Sequence, residues 1–181
     1  MSENIELMMP IKTVPYEHQK KAFAFTCDKF GVFDGRLKSR GTALLIEMGC
    51  GKSLVGIAVS GCLYQYGMAN RILVVAPLSI LGVWEEEFEK FADFPYSLTV
   101  LKGTVAKKKE QLNNLPEKGL QVVVVNYESA WRLEKELLAY NADLVIADEA
   151  HKLKENRSKQ SQGMHHIGDK AKYKLLLTGT V

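Results

Sequence analysis

The chain has 181 residues, 46% hydrophobic and 25% charged, which suits one globular domain with a substantial core and leaves little room for two. Its net charge of +3 permits a nucleic-acid partner without arguing for one. No run of 18 apolar residues is present, so no membrane span or membrane partner is expected, and Met1-Ser2-Glu3-Asn4 does not read as a secretory signal. In chain order, a helix is expected over Tyr16–Phe30, followed by a polar, basic connector, Gly31–Gly41. Residues 1–41 thus precede the sheet. Short runs that are β-branched or Leu-rich then read as strands at Thr42–Ile46, Arg71–Ala76, Ser97–Leu101, Gln121–Asn126, Asp143–Ala147 and Lys174–Thr178. Helical patterns lie between them at Lys52–Tyr66, Ile80–Phe91, Ala106–Leu115, Ser129–Ala139 and Lys159–Ile167. This alternation predicts an α/β fold of three layers, a mostly parallel central sheet with helices on both faces.

Two motifs carry chemistry. The first, Glu47-Met48-Gly49-Cys50-Gly51-Lys52-Ser53, joins a strand to a helix. A loop whose amides all point at phosphate oxygens needs backbone angles that Gly49 and Gly51 adopt readily. In a phosphate loop, Lys52 reaches the β- and γ-phosphates, Ser53 offers its hydroxyl to Mg²⁺, and the helix N-terminus adds positive charge. The usual pattern has a further glycine where this chain has Ile46. Cys50 contributes a backbone N–H, and its thiol is either a reactive group of lowered pKa or a tolerated small side chain. The three cysteines, Cys27, Cys50 and Cys62, lack metal-site spacing and read as reduced thiols of a cytoplasmic or nucleoid-associated protein.

The second motif, Asp148-Glu149-Ala150-His151, follows the apolar run Leu144-Val145-Ile146-Ala147. A strand apolar on successive residues is buried on both faces, and functional carboxylates in such sheets sit at C-terminal strand ends. Asp148 is then placed to hold Mg²⁺, and Glu149 to orient and deprotonate an attacking water. His151 has no second His or Cys at ligand spacing and is not expected to bind metal.

Laid in order, these motifs resemble the first RecA-like domain of a superfamily 2 helicase or translocase, in the Swi/Snf-like DEAH-box branch, over about Val14 to Thr180. Pro15-Tyr16-Glu17-His18-Gln19 is similar to the adenine-recognition motif, which would give Gln19 the adenine edge. Leu73–Pro77, Leu78-Ser79-Ile80-Leu81 and Trp84-Glu85-Glu86-Glu87-Phe88 resemble the Pro-Leu-Ser segment and its helix. That likeness implies a nucleic-acid backbone contact at Ser79, which is equally a good helix N-cap. Val124-Val125-Asn126-Tyr127-Glu128 resembles a second segment on that face and points to Tyr127. Lys154-Glu155-Asn156-Arg157-Ser158 is similar to the basic stretch that follows the catalytic box. Leu175 to Thr180 is similar to the motif coupling ATP to nucleic acid, implying that role for His151, Thr178 and Thr180.

The resemblance implies ATP and Mg²⁺ as substrate and cofactor, double-stranded DNA as the track, and a second RecA-like domain whose arginines complete the cleft. The sequence stops at Val181, before that domain, and reads as a truncated ATP-binding half that hydrolyses poorly alone. Alternatives are an RNA or single-strand DNA helicase, a nucleotide-gated binding module without turnover, and a phosphate-loop NTPase that never touches nucleic acid. Lys107-Lys108-Lys109 reads as a solvated helix face. Arg36, Lys38 and Arg40 either approach the nucleotide cleft or keep a loop soluble.

Overall fold

The continuous apolar runs Ile72–Ala76, Val122–Val125 and Leu144–Ala147 lie inside a six-stranded parallel sheet, because such strands are stable only where helices cover both faces. The computed structural model describes residues 2–46, 51–153 and 159–179. The elements are α1 (Ser2–Met8), α2 (Glu17–Phe30), β1 (Gly41–Leu45), α3 (Lys52–Gln65), β2 (Arg71–Ala76), a 3-10 turn (Leu78–Ile80) and α4 (Leu81–Phe91). They continue with β3 (Tyr96–Val100), α5 (Val105–Asn113), β4 (Leu120–Asn126), α6 (Tyr127–Arg132), α7 (Glu134–Tyr140), β5 (Leu144–Asp148), a second 3-10 turn (Ala150–Leu153), α8 (Lys159–Lys170) and β6 (Tyr173–Thr178).

The strand order is β1-β6-β5-β2-β4-β3, and every adjacent pair is parallel. On one face, Phe23, Cys27 and Phe30 of α2, Val55, Ile57 and Cys62 of α3, and Trp84 and Phe88 of α4 pack on Ile72, Val74, Ile146 and Leu175. On the other, Ala130, Leu133, Leu137, Met164 and Ile167 of α6–α8 pack on Leu73, Val75, Val123 and Val145. The expected three layers are present. The cysteines Cys27 and Cys62 are free and buried in the first cluster.

Three local expectations are corrected. Helix α1 is unannounced, since seven residues are too few to display a helical period; Ile5 and Met8 pack on the core and Glu6 pairs with Lys20 at 3.1 Å. The helix expected over Ser129–Ala139 begins at Tyr127 and divides at Leu133 (φ −107°, ψ 19°), a fully buried residue that takes the bend. Ser79 is not a helix cap: it lies exposed inside the first 3-10 turn, and Ile80 precedes α4 without a side-chain capping bond.

Arg40 donates to the Ala171 carbonyl at 2.9 Å, and Lys38 pairs with Asp28 and Asp34. Arg40 and Ala171 lie one and two residues before β1 and β6. Their contact therefore lies at the N-terminal edge of the sheet, opposite the carboxyl ends where ligands bind in such folds.

Candidate active site

Parallel pairing brings the ends of β1, β6, β5, β2 and β4 to one edge, and the chemistry-bearing residues gather there. Strand β5 is buried along its whole length, so Asp148 ends it with 2% of its surface exposed. A buried carboxylate requires partners, and Asp148 has them on both oxygens. Oδ1 accepts from Lys52 Nζ at 2.8 Å and from the Glu149 amide at 2.9 Å. Oδ2 accepts from the Trp84 indole N–H at 2.9 Å. The Asp148 carbonyl accepts from the Tyr127 hydroxyl at 2.6 Å. Burial, and then the charges of Asp148 and Glu149, push the Tyr127 pKa up, so its hydroxyl remains a donor.

Glu149 has φ +55°, a left-handed conformation that costs a side-chain-bearing residue about 1–2 kcal/mol. From this position the carboxylate bonds Lys52 Nζ through Oε1. His151 Nδ1 lies 3.4 Å from Glu149 Oε2, close but without hydrogen-bond geometry. Lys52 and Ser53 open α3 behind Gly51, which has φ +73°. A Cβ on Gly51 would also meet the Gln19 amide and push it aside, so the φ favours glycine and the close approach to Gln19 depends on it. Gln19 Oε1 accepts from the Tyr16 amide at 2.8 Å, and its Nε2 donates to the Gly51 carbonyl at 3.4 Å. Gln19 is 3% exposed and bridges the start of α2 to the phosphate-loop segment, unlike a solvated residue of a first helical turn.

Thr178 ends β6 beside Leu45, and its carbonyl accepts from the Ile46 amide at 3.0 Å, placing it next to the entry of the phosphate-loop segment. The structure thus brings together Gln19, Gly51, Lys52, Asp148, Glu149 and His151. Gly49, Cys50, Thr180 and the basic stretch Lys154–Ser158 lie outside the described residues. The two carboxylates are hard oxygen donors of the kind that suits Mg²⁺, and they already hold one cation, the Lys52 ammonium.

Residues 13–180 match the SNF2-related domain. The chain belongs to that family. It is 31% identical over 170 residues to the zebrafish (Danio rerio) DNA excision repair protein ERCC-6-like, matching 91% of this chain and 11% of that protein. It is 30% identical over 177 residues to Switch 2 of Arabidopsis thaliana, 91% of this chain and 19% of the relative. The chain therefore spans less than a fifth of the length of either relative. Among solved structures, the Sulfolobus solfataricus SWI2/SNF2 ATPase core in complex with dsDNA superposes with a TM-score of 0.77 at 26% identity, covering 95% of this chain and 33% of that one.

In this SNF2-related domain a groove of about 750 Å³ opens beside the carboxylate cluster, along the ends of β3 and β4. Lys102, Lys108 and Arg132 line it with one carboxylate, Glu128, which pairs with Arg132 at 3.1 Å, so the lining is positive on balance; Asn126 joins them with a buried Oδ1 that has no hydrogen-bond partner. Lys108 donates to Ser129 Oγ at 2.6 Å, whereas Lys109 pairs with Glu136 at 3.3 Å and is not in the lining. One lysine of the basic triplet therefore belongs to the groove, a division that a run of identical residues conceals. Sequence reading also missed Trp84 at Asp148, since an indole at the core-facing position of an amphipathic helix looks like packing alone. Among the described residues no helix is long and apolar enough to cross a membrane.

Burial works to lower the Lys52 pKa, but hydrogen bonds to and charges on Asp148 and Glu149 outweigh it and hold the ammonium above its ordinary 10.5. The pairing therefore contributes its full stability below pH 10.5 and loses it as pH rises through the raised value. Lys52→Met should lower the unfolding free energy by about 1–3 kcal/mol at pH 8, because both carboxylates lose their cation. In urea unfolding series the deficit should close above the raised Lys52 pKa. A variant as stable as the parent at pH 8 would contradict the pairing.

Proposed function

We propose that this chain is the ATP-binding half of a DNA-dependent ATPase motor, completed by a second RecA-like domain. The observation that carries the reading is the Lys52 ammonium held between Asp148 and Glu149 at the carboxyl edge of an all-parallel sheet. ATP entering this edge offers Lys52 a stronger anionic partner, and the side chain moves from the carboxylates to the β- and γ-phosphates. Ser53 and Asp148 would hold Mg²⁺, whose charge would offset that of the phosphates. Released from Lys52, Glu149 becomes free to accept a proton from the attacking water. Gln19, fixed beside Gly51, is the residue proposed for the adenine edge, where its amide would exchange its bonds to the Tyr16 amide and the Gly51 carbonyl for bonds to the base. Gly49 and Cys50 contribute loop amides, while His151, Thr178 and Thr180 relay the state of the phosphates to the nucleic acid.

The groove is the proposed DNA seat; Leu78, Asn126 and Glu128 of its lining are the chain neighbours of Ser79 and Tyr127, the two proposed backbone contacts. Support comes from the similar core that was solved with dsDNA and from the excision-repair name of the zebrafish relative. Relatives several times longer than this chain support a second domain supplying arginines, an addition worth roughly 10³–10⁵ in rate. Two unoxidised buried thiols suit a reducing compartment, cytoplasmic or nucleoid-associated.

Both halves of the reading are open to test on this chain. Alanine at Lys102, Lys108 or Arg132 should weaken duplex binding irrespective of sequence and lower the slope of log K against log salt by about 0.9 each. Unchanged slopes for all three would move the DNA elsewhere. Glu149→Gln should retain ATP while its residual hydrolysis falls by about 10²–10⁴-fold. Undiminished turnover would remove Glu149 from the chemistry.

A further inference from the structure

Trp84 stands where three parts of the site meet, and the reading above gives it no task. It lies in the first turn of α4, whose Leu81 and Gly82 wall the groove. Its ring is 1% exposed and rests on α3, the helix opened by Lys52: a methyl group built on Gly56 would stand 3.1 Å from the indole Cη2. Its N–H donates to Asp148 Oδ2 at 2.9 Å. A buried indole N–H requires an acceptor, and any carbonyl of the core would meet that need. Here the acceptor is the buried carboxylate at the centre of the cluster, and the bond is charge-assisted and directional.

The consequence lies in how the two oxygens of Asp148 divide. Oδ2 is committed to a rigid donor that cannot move without displacing α4. Oδ1 carries the exchangeable ligand, now Lys52, and is turned to the phosphate-loop side. Tyr127 pins the carbonyl of the same residue, so both the side chain and the main chain of Asp148 are fixed. We infer that Trp84 is a positioning residue that locks the Asp148 carboxylate with Oδ1 presented to the divalent cation accompanying the nucleotide. The inference rests on the ATP-site reading above. Outer-shell donors of this kind typically change metal affinity by about 10–100-fold when removed.

The test measures binding, not turnover. ATP is titrated into the 181-residue chain, once with EDTA and once across a Mg²⁺ series, for the wild type, Lys52→Ala and Trp84→Phe, with folding checked by circular dichroism. The wild type should bind ATP in a Lys52-dependent way. Trp84→Phe should keep metal-free ATP affinity within about twofold, while the Mg²⁺ concentration for half-maximal enhancement rises about 10–100-fold. In ¹⁵N-indole spectra the Trp84 signal, assigned by its loss in Trp84→Phe, should shift on adding Mg²⁺ and ATP more than that of Trp131. If Trp84→Phe is poorly folded, Gly56→Ala, whose methyl would stand 3.1 Å from the ring, shifts it slightly with its N–H retained and should give a smaller loss of the same metal-selective kind. An unchanged Mg²⁺ dependence overturns the inference, as does an equal loss with and without metal, which marks a packing role only. Absence of Lys52-dependent binding in the wild type is a distinct result, and it removes the ATP-site reading together with the inference.

Discussion

A lysine ammonium held between two adjacent carboxylates is the contact on which the rest of this structure turns. Asp148 and Glu149 follow one another at the end of a fully buried strand, where two like charges so close repel one another unless a cation lies between them. Lys52 supplies that cation from a helix two strands away in the sheet, so the contact depends on the order β1-β6-β5. If β1 lay at the far side of β3, the loop leaving it would not reach the end of β5. Topology is thus the first condition of the site, and the parallel register of the strands is the second.

In the proposed reading, the same cluster joins two functions that the fold would keep on neighbouring surfaces. Lys52, Gly51 and Gln19 approach the carboxylates from the α2–α3 layer. Tyr127 approaches from the start of α6, in the opposite layer, and Trp84 from the start of α4. The segments that carry Trp84 and Tyr127 are also walls of the basic groove. Occupancy of the groove and the geometry of Asp148 therefore share rigid parts, which is the physical form that coupling between a nucleotide and a nucleic-acid track requires.

Much of this was legible in the residues. Continuous apolar strands such as Val122–Val125 announce burial on both faces, and the alternation with helices fixes the layer count. The phosphate loop and the Asp-Glu pair are local patterns whose spacing survives without a structure. What escaped was set by tertiary contacts. The burial of Gln19 depends on how α2 meets Gly51, and the selection of Lys108 over Lys109 depends on the roll of α5. The bend at Leu133 follows from core packing, which no helical period encodes. Trp84 was the clearest case: its side chain satisfies the hydrophobic pattern so well that its polar atom drew no notice. Ser79 shows the reverse, a good capping residue that the structure leaves exposed because a 3-10 turn precedes the helix.

The central claim, that Lys52 and the two carboxylates form an ATP site, is tested most directly by isothermal titration calorimetry of Mg²⁺-ATP into this chain and into a folded Lys52→Ala variant. The account predicts one site per chain in the wild type and affinity at least about tenfold weaker in the variant, since a charge-assisted phosphate contact is worth about 1.5–3 kcal/mol. Equal affinity in both proteins, or no binding by a well-folded wild type, would contradict it.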